Sequence, residues 1–280
     1  MSSKSGFVKL LYTTLPGRLM LKCIMLTRAD RLAVRFLRSR LSKPIIAPYA
    51  KLNGIELTAA QLRGFMTYRD FFARTRAGSD IDLTPEHLIS PCDGWLSAYD
   101  IDEDSCFSIK NSHYMVKDLL QDTSLAERFN GGTCLIFRLC ASDYHHYCYI
   151  DDGYQCENHI IPGMLHSVQP AACERYPVYV LNRRSWTLIA TENFGPVVQT
   201  EIGALIVGGI CNPRENMRVC RGMEKGHFEL AGSTIVLMFQ KGRIKLLPEI
   251  GSSLKNGEYR VKLGMQIGER AAADSPRASI

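Results

Sequence analysis

Beyond about residue 85 the chain is divided into short apolar runs that Gly, Pro, Asn and Asp residues separate. The runs at Thr133–Leu139, 202–210 and 234–239 are rich in β-branched side chains. Such side chains pack well on a pleated surface, so runs of this length between turn residues predict strands. One helical interruption is predicted at residues 116–129. The sequence therefore predicts a β-dominated body of antiparallel sheets, sandwich-like or barrel-like.

Residues 1–43 form a cationic segment, with ten Lys and Arg residues against a single acidic residue, Asp30. Apolar side chains recur in it at spacings near three and four, which is typical of amphipathic helix. They are Leu15, Leu19, Cys23, Leu26, Ala33, Phe36, Leu37 and Leu41. A basic amphipathic helix can lie in the headgroup layer of an anionic membrane, or it can pack on its own domain. A nucleic-acid partner is disfavoured, because base-stacking aromatic residues are scarce along this stripe.

A further helix is predicted at residues 57–76, and the acidic turn at 78–85 ends it. We therefore expect an α+β fold with two parts, a basic helical region at residues 1–78 and a β-rich domain at residues 79–280. No apolar run reaches the ~18 residues that cross a bilayer, so no membrane-spanning segment is expected. Hydrophobic residues make up 46% of the 280, which is enough for one substantial core.

The ten cysteines show no regular spacing, and the chain is much longer than a small disulfide-rich domain. Reduced thiols are therefore expected. No CxxC pair and no paired His/Cys spacing of the kind that zinc requires occurs in the sequence. The sequence thus predicts no metal site.

Gly232 and Ser233 precede the apolar run at 234–239. A Gly-Ser pair is usually a turn that opens a strand. It also has a chemical interpretation, because glycine offers the least hindered carbonyl to the next hydroxyl and tolerates strained backbone geometry. After an acyl shift from nitrogen to oxygen, β-elimination would break the chain and leave a ketone, a pyruvoyl group, on the new N-terminus. Such a ketone can act as an electron sink for decarboxylation.

Two other clusters carry titratable groups. Asp93 lies in the turn at residues 91–95, where most aspartates only cap the turn through local hydrogen bonds. Asp143, His145, His146 and Cys148 follow the strand at Thr133–Leu139. A histidine there can act as a general base near neutral pH, oriented by an aspartate, although surface histidine pairs are more often inert.

The order of these motifs resembles the phosphatidylserine decarboxylase family, over about residues 68–242. The matching segments are YRDFFAR at 68–74, PCDG at 91–94, IK at 109–110 with Tyr114 and the leucines at 119–120, FRL at 137–139 with DYH at 143–145, HSVQP at 166–170, TENFG at 191–195, VG at 207–208, KG at 225–226 and GST at 232–234.

The resemblance implies that cleavage follows Gly232 and that Ser233 becomes the covalent pyruvoyl cofactor, with Asp93 in the processing machinery. The products would be a larger chain, residues 1–232, and a smaller chain, residues 233–280. His145 matches the first histidine of the family pattern Tyr-His-x-x-His, which serves decarboxylation. The second histidine, the usual processing base, aligns with Cys148. That base would then be His145, His166, His146 or Cys148 itself, and we favour His145.

By this resemblance the expected activity is conversion of phosphatidylserine to phosphatidylethanolamine and CO₂ through a Schiff base with the pyruvoyl group. The basic helix would hold the enzyme as a peripheral protein on the anionic, cytoplasmic face of the cell membrane. A homodimer is left open. Two alternatives stand beside this prediction: a pyruvoyl decarboxylase of another amine, and an unprocessed relative that only binds anionic lipid.

Overall fold

The computed structural model describes residues 4–26, 29–76, 78, 80–109, 112–204, 209–230, 233–255 and 257–271. Its helices are α1 Lys4–Thr13, α2 Leu15–Leu26, α3 Ala29–Leu37, α4 Ile46–Leu52, α5 Ala59–Gly64, α6 Tyr68–Phe72, α7 Val116–Leu120, α8 Thr123–Glu127, α9 Pro170–Cys173, α10 Val178–Leu181 and α11 Pro248–Leu254, with a 3₁₀ helix at Arg40–Ile45. Its strands are β1 His87–Ile89, β2 Gly94–Asp100, β3 Cys106–Ile109, β4 Ser112–Met115, β5 Thr133–Leu139, β6 His146–Cys148, β7 Gly153–Ile161, β8 Arg184–Thr191, β9 Gly195–Ile202, β10 Ile210–Cys211, β11 Met217–Val219, β12 Glu224–Phe228, β13 Ser233–Phe239, β14 Ile244–Leu246, β15 Tyr259–Val261 and β16 Gln266–Arg270.

An eight-stranded sheet forms the centre of the body, in the order β11-β7-β8-β9-β13-β5-β2-β15. Two three-stranded sheets, β1-β16-β14 and β10-β12-β6, and the hairpin β3-β4 complete the strands of the described residues. The named strands pair antiparallel throughout. The predicted α+β class with a β-dominated body is confirmed, and the large sheet is open rather than closed into a barrel.

The two faces of the central strand β13 contribute to different cores, because successive side chains of a strand point to opposite faces. Val236 and Met238 belong to a cluster that also contains side chains of α1, α2 and α7, and that lies on the helical side. Ile235, Leu237 and Phe239 belong to a second cluster, shared with β1, β6, β12 and β16 of the small sheets. The body is therefore a sheet with helices on one face and further strands on the other.

The single helix predicted at residues 57–76 is wrong, because two short helices occupy this segment. The chain is extended at Phe65 (ψ 129°), which ends α5. A new capping box then starts α6, where the Thr67 side chain accepts from the Asp70 amide and the Asp70 carboxylate accepts from the Thr67 amide. A strong local start signal thus divides what the apolar pattern alone presents as one helix.

The helix predicted at residues 116–129 is divided in the same way into α7 and α8. Gln121 adopts a left-handed conformation (φ 54°) that ends α7. Asp122 then caps α8 by accepting a hydrogen bond from the Leu125 amide.

The strand predicted at residues 202–210 is also misplaced. Ile202 is the last residue of β9, and Ile210 is the first residue of the separate strand β10. Gly203 follows the end of β9, and residues 205–208 lie outside the described residues. An apolar run therefore marked the ends of two strands that belong to different sheets.

The N-terminal helices bury one set of side chains and expose another. Leu11, Tyr12 and Leu21 lie in the cluster on the helical side of the large sheet. Among the described residues up to position 41, the exposed large apolar side chains are Leu10, Leu15, Leu19, Met20, Leu32, Phe36 and Leu41. All of these except Leu10 belong to the predicted stripe or adjoin one of its residues in the sequence. Within the described residues, no helix is both long and apolar enough to cross a bilayer. The domain boundary at residue 78 stays a prediction.

Candidate active site

Ser233 begins the central strand β13 beside the connection that carries His145. Strand β5 pairs with β13, and β6 pairs with β12. Ser233 pairs with Leu139, the last residue of β5. The Phe228 amide, at the end of β12, donates a hydrogen bond of 3.0 Å to the carbonyl of His145, the residue just before β6. Strand pairing thus places Ser233 at one end of the connection from β5 to β6 and His145 at its other end.

The Ser233 hydroxyl is buried, with 1% of the residue exposed. Its Oγ has no hydrogen-bond partner among the described residues. By strand alternation Ser233 lies on the same face as Ile235, in the core between the large and small sheets. A buried hydroxyl without a partner loses solvation free energy, which is typical of a functional group rather than a structural one. Gly232 and its carbonyl lie outside the described residues.

His145 is buried, with its Nδ1 2.8 Å from the Asp143 main-chain carbonyl oxygen. A carbonyl only accepts, so the proton of the neutral ring is on Nδ1, and Nε2 keeps a free lone pair. This Nε2 is buried and has no hydrogen-bond partner in the described part of the chain. Burial lowers the pKa of His145 to about 4. The Phe72 ring of α6 lies 4.2 Å from the imidazole, centroid to centroid, and fixes its plane.

Asp143 orients this histidine through its main-chain carbonyl, and the predicted orientation by its carboxylate is wrong. The carboxylate instead accepts the Cys140 amide at 2.6 Å and an Arg260 guanidinium nitrogen at 3.1 Å. These two contacts hold the turn after β5 in a fixed shape. Asp143 therefore determines where His145 lies and which of its nitrogens is protonated.

Asp93 is a buried carboxylate that contacts two donors from the C-terminal part of the chain and one from the N-terminal part. Its Oδ1 accepts the Leu263 amide at 2.9 Å. Its Oδ2 lies 3.1 Å from Arg76 Nη1 and 3.8 Å from Lys262 Nζ. Asp93 immediately precedes β2, which pairs with β5, so it lies two strands away from β13 within one sheet.

Cys148 lies in the core on the same side of the sheet as Ser233, with 2% of the residue exposed. Its amide donates to the Pro91 carbonyl, which places it beside the turn of Asp93. Burial raises the pKa of the Cys148 thiol to about 12. A thiol in this environment does not supply thiolate near neutral pH.

His166 lies on the opposite side of the large sheet. Its Nδ1 is 3.3 Å from the Tyr12 hydroxyl, and its ring stacks on Tyr176 at 4.8 Å. Tyr12 belongs to the helical-side core, and Tyr176 packs against that core. Burial lowers the pKa of His166. Cys148 and Ser233 thus share the core between the large and small sheets, the turn of Asp93 borders Cys148, and His145 lies in the connection that follows the strand paired with Ser233. His166 lies on the other side of the large sheet.

Sequence reasoning missed the basic residues that hold the two aspartates, above all Arg76 and Arg260. Arg260 lies 117 residues after Asp143 and gives no local signal. It contacts Asp143 because β15 pairs with β2 at the edge of the large sheet, a pairing that only the three-dimensional register reveals.

A buried serine hydroxyl, a neutral imidazole with a free nitrogen and two fixed carboxylates are the kinds of group that enzymes with a serine nucleophile use. Comparison with known proteins gives the family. The family model described as phosphatidylserine decarboxylase matches residues 68–269. Phosphatidylserine decarboxylase proenzyme 2 of Clostridium acetobutylicum is 41% identical over 271 residues, covering 95% of this chain and 92% of its own length.

Two further relatives agree. The phosphatidylserine decarboxylase proenzyme of Clostridium perfringens strain SM101 is 38% identical over 86% of this chain and 85% of its own length. The proenzyme of Ruminiclostridium cellulolyticum is 37% identical over 92% of this chain and 89% of its own length. The chain therefore belongs to the phosphatidylserine decarboxylase family. The predicted family is confirmed, and with it the predicted enzyme class, a carboxy-lyase.

Proposed function

We propose that this chain decarboxylates phosphatidylserine to phosphatidylethanolamine, after cleaving itself between Gly232 and Ser233. One observation carries the proposal: Ser233 Oγ and His145 Nε2 are both buried without a partner among the described residues, and His145 lies in the connection that follows Leu139, the strand partner of Ser233. A nucleophile and a base without other partners are the pair that a serine-dependent acyl shift needs. Membership of the family supplies the substrate class.

In the first step Ser233 Oγ attacks the Gly232 carbonyl carbon while His145 Nε2 takes the hydroxyl proton. The peptide C–N bond then breaks, the nitrogen gains a proton, and an ester joins the two residues. Removal of the Ser233 α-proton breaks the Cβ–Oγ bond, and the Gly232 carboxylate leaves. The remaining dehydroalanine tautomerises, and water releases ammonia to give a pyruvoyl terminus. These steps need water alone as a further reactant.

The buried environment of Ser233 fits the resulting group, because a ketone has no hydrogen to donate and so leaves no unpaired donor in a dry core. The pyruvoyl group supplies an electron sink for an amine substrate whose neighbouring carboxylate leaves as CO₂. We assign to His145 the movement of protons at the reacting atoms in both stages. Asp143 and Asp93 act as positioning residues, since each holds a connection that borders the site.

The N-terminal helices would place this site on a membrane. Leu15, Leu19 and Phe36 are exposed by 65%, 59% and 42%, in a segment where basic residues outnumber acidic ones ten to one. Exposed leucines beside arginines fit a headgroup layer that contains anionic lipid, where each nearby Lys or Arg contributes about 1 kcal/mol. We therefore propose a peripheral protein on the cytoplasmic face of the cell membrane.

Intact-mass measurement of the purified chain tests self-cleavage. We expect two fragments, of residues 1–232 and 233–280, with the smaller one resistant to Edman degradation because it lacks an amine. Ser233→Ala should give a single 31.4 kDa chain, and His145→Ala should cleave at least 100-fold more slowly. Fragments from Ser233→Ala identical to those of the parent would refute the proposal.

CO₂ release separates the substrates. The cleaved protein is assayed with vesicles of phosphatidylserine, with vesicles of phosphatidylcholine and with free serine. We expect release from phosphatidylserine alone. Release from free serine at an equal rate would instead favour a decarboxylase of soluble amines, and a single unbroken chain that floats with vesicles would favour a lipid-binding relative.

A further inference from the structure

His146, Glu224 and His227 converge on the small sheet next to the active site. His146 of β6 and His227 of β12 are direct partners in the strand register, and their rings stack at 4.8 Å. Glu224 Oε1 lies 3.1 Å from His146 Nδ1 and 3.9 Å from His227 Nδ1. One ligand atom from each side chain lies within 4.8 Å of the other two. None of the three is used in the proposed reaction.

The hydrogen bond of His146 Nε2 leaves the other ring nitrogen, Nδ1, facing this cluster. Its Nε2 lies 3.0 Å from the Ala73 main-chain carbonyl oxygen. A carbonyl only accepts, so Nε2 carries the proton of the neutral ring, and Nδ1 is a bare acceptor. That Nδ1 is buried, and no residue in the described ranges donates to it. Histidines that bind metals commonly donate their other N–H to a carbonyl in this manner, which fixes the ring orientation.

The facing group makes a cation the natural complement of this lone pair. The Glu224 carboxylate oxygen is itself an acceptor, so with a neutral His146 ring the two groups present two acceptors 3.1 Å apart, which a shared cation satisfies. Zinc binds nitrogen and carboxylate oxygen at about 2.0–2.2 Å, which places tetrahedral ligand atoms about 3.4 Å apart. The separations of 3.1 and 3.9 Å bracket that value. The third edge, between the two histidine nitrogens, lies within 4.8 Å, so closure on the cation draws these nitrogens together by up to about 1.4 Å.

The geometry points to a binding site for one divalent transition-metal cation, held by His146, Glu224 and His227. Two imidazoles and one carboxylate favour zinc or a similar ion over magnesium and calcium, which prefer sets of oxygen ligands. The Glu224 side chain is 46% exposed and opens the site to solvent, so water completes the coordination. The bound cation joins β6 to β12. It thereby fixes the connection that carries His145 against the strand that leads to Ser233.

Metal titration of the full-length Ser233→Ala chain tests this site without any dependence on self-cleavage. The protein is dialysed against a chelator and titrated with ZnCl₂, and separately with CoCl₂ as a spectroscopic probe. We expect one tight equivalent per chain. The cobalt complex should show visible bands without the intense near-ultraviolet charge-transfer band of a thiolate, because none of the three ligands is a cysteine.

Three variants assign the ligands. His146→Gln, His227→Gln and Glu224→Gln should each weaken zinc binding at least about tenfold. Glu224→Gln changes charge at a half-exposed position and so tests the site even if a histidine variant fails to fold. The matched control is His159→Gln, which removes another histidine that stacks on an aromatic ring and lies near a glutamate. Its affinity should equal that of the parent.

Absence of a zinc equivalent, or a thiolate band in the cobalt spectrum, would overturn the inference. Unchanged affinity in Glu224→Gln would do the same. Failure of the metal site would leave the proposed decarboxylase intact, since the reaction uses none of its three residues.

Discussion

Lys225 and Glu201 form an ion pair with no solvent exposure on either side chain, and Nζ lies 2.9 Å from Oε1. The other carboxylate oxygen accepts from Asn212 Nδ2 at 2.7 Å. Burial lowers the pKa of Lys225, so the pair is what keeps its ammonium charged in the core. The substitution Glu201→Gln removes the negative charge that balances the ammonium, while it preserves the size of the side chain and one hydrogen-bond acceptor.

We expect this substitution to lower the free energy of unfolding by about 3–5 kcal/mol, because it leaves a buried charge unpaired. The matched control is Glu103→Gln, which breaks an exposed pair with Lys241 whose side chains are 76% and 72% exposed. Its expected cost is below about 1 kcal/mol. Replacing both buried partners, with Glu201→Leu and Lys225→Met together, should recover part of the loss, since no charge then remains in the core.

Urea unfolding followed by fluorescence of the two tryptophans measures these values. Every variant is made in the Ser233→Ala chain, so that a single unbroken polypeptide unfolds. The slope of the unfolding free energy against urea concentration must be the same in all variants for their free energies to be comparable. Equal losses for Glu201→Gln and Glu103→Gln would refute the reasoning, because burial would then make no difference to the pair.

Three further changes test other parts of the molecule. Glu229→Gln breaks the ion pairs that two arginines of the N-terminal region make with the segment just before the cleavage point. Time courses on denaturing gels should show cleavage slowed about tenfold, equivalent to ~1.4 kcal/mol in the activation barrier. Leu19→Glu combined with Phe36→Glu should weaken flotation with anionic vesicles at least tenfold, since each apolar side chain buried in the membrane contributes about 1.5–3 kcal/mol. The control Ile160→Glu, at an exposed strand position, should leave flotation unchanged. Cys148→Ser should cleave within about twofold of the parent rate, and loss of cleavage in a folded Cys148→Ser chain would show that the thiol takes part.

The sequence predicted the elements of the site better than their arrangement. The β-branched runs predicted β5 and β13 correctly, because both strands are largely buried and each carries five apolar residues out of seven. The titratable group around His145 was visible because it interrupts apolar sequence. The separation of His166 from Ser233 was not visible, because His166 lies in the connection between β7 and α9, and local sequence does not show on which side of the sheet a connection runs. The contact between His146 and His227 was hidden likewise, since these residues are 81 positions apart and meet only through the pairing of β6 with β12.

Strand register also determines what happens to the two products of cleavage. The smaller chain would keep β13 at the centre of the large sheet, paired at seven positions with β5 and at six with β9. Its other strands β15 and β16 pair with β2 and β1 of the larger chain. Asp143 and Asp93 add ion pairs to Arg260 and Lys262 across the same division.

Separation of the products would therefore expose the central strand of the core and remove the Arg260 partner of the buried Asp143 carboxylate, while Asp93 would keep Arg76 and lose Lys262. A buried carboxylate that loses its cation is destabilised by several kcal/mol. We expect the two fragments to elute together in size-exclusion chromatography under native conditions and to separate only in denaturant. Removal of the ion pairs by Arg260→Met with Lys262→Met should lower the denaturant concentration at which they part. Spontaneous separation of the parent fragments in buffer would contradict this account. It would mean that, once the backbone is cut before β13, strand pairing does not hold the smaller chain in the sheets.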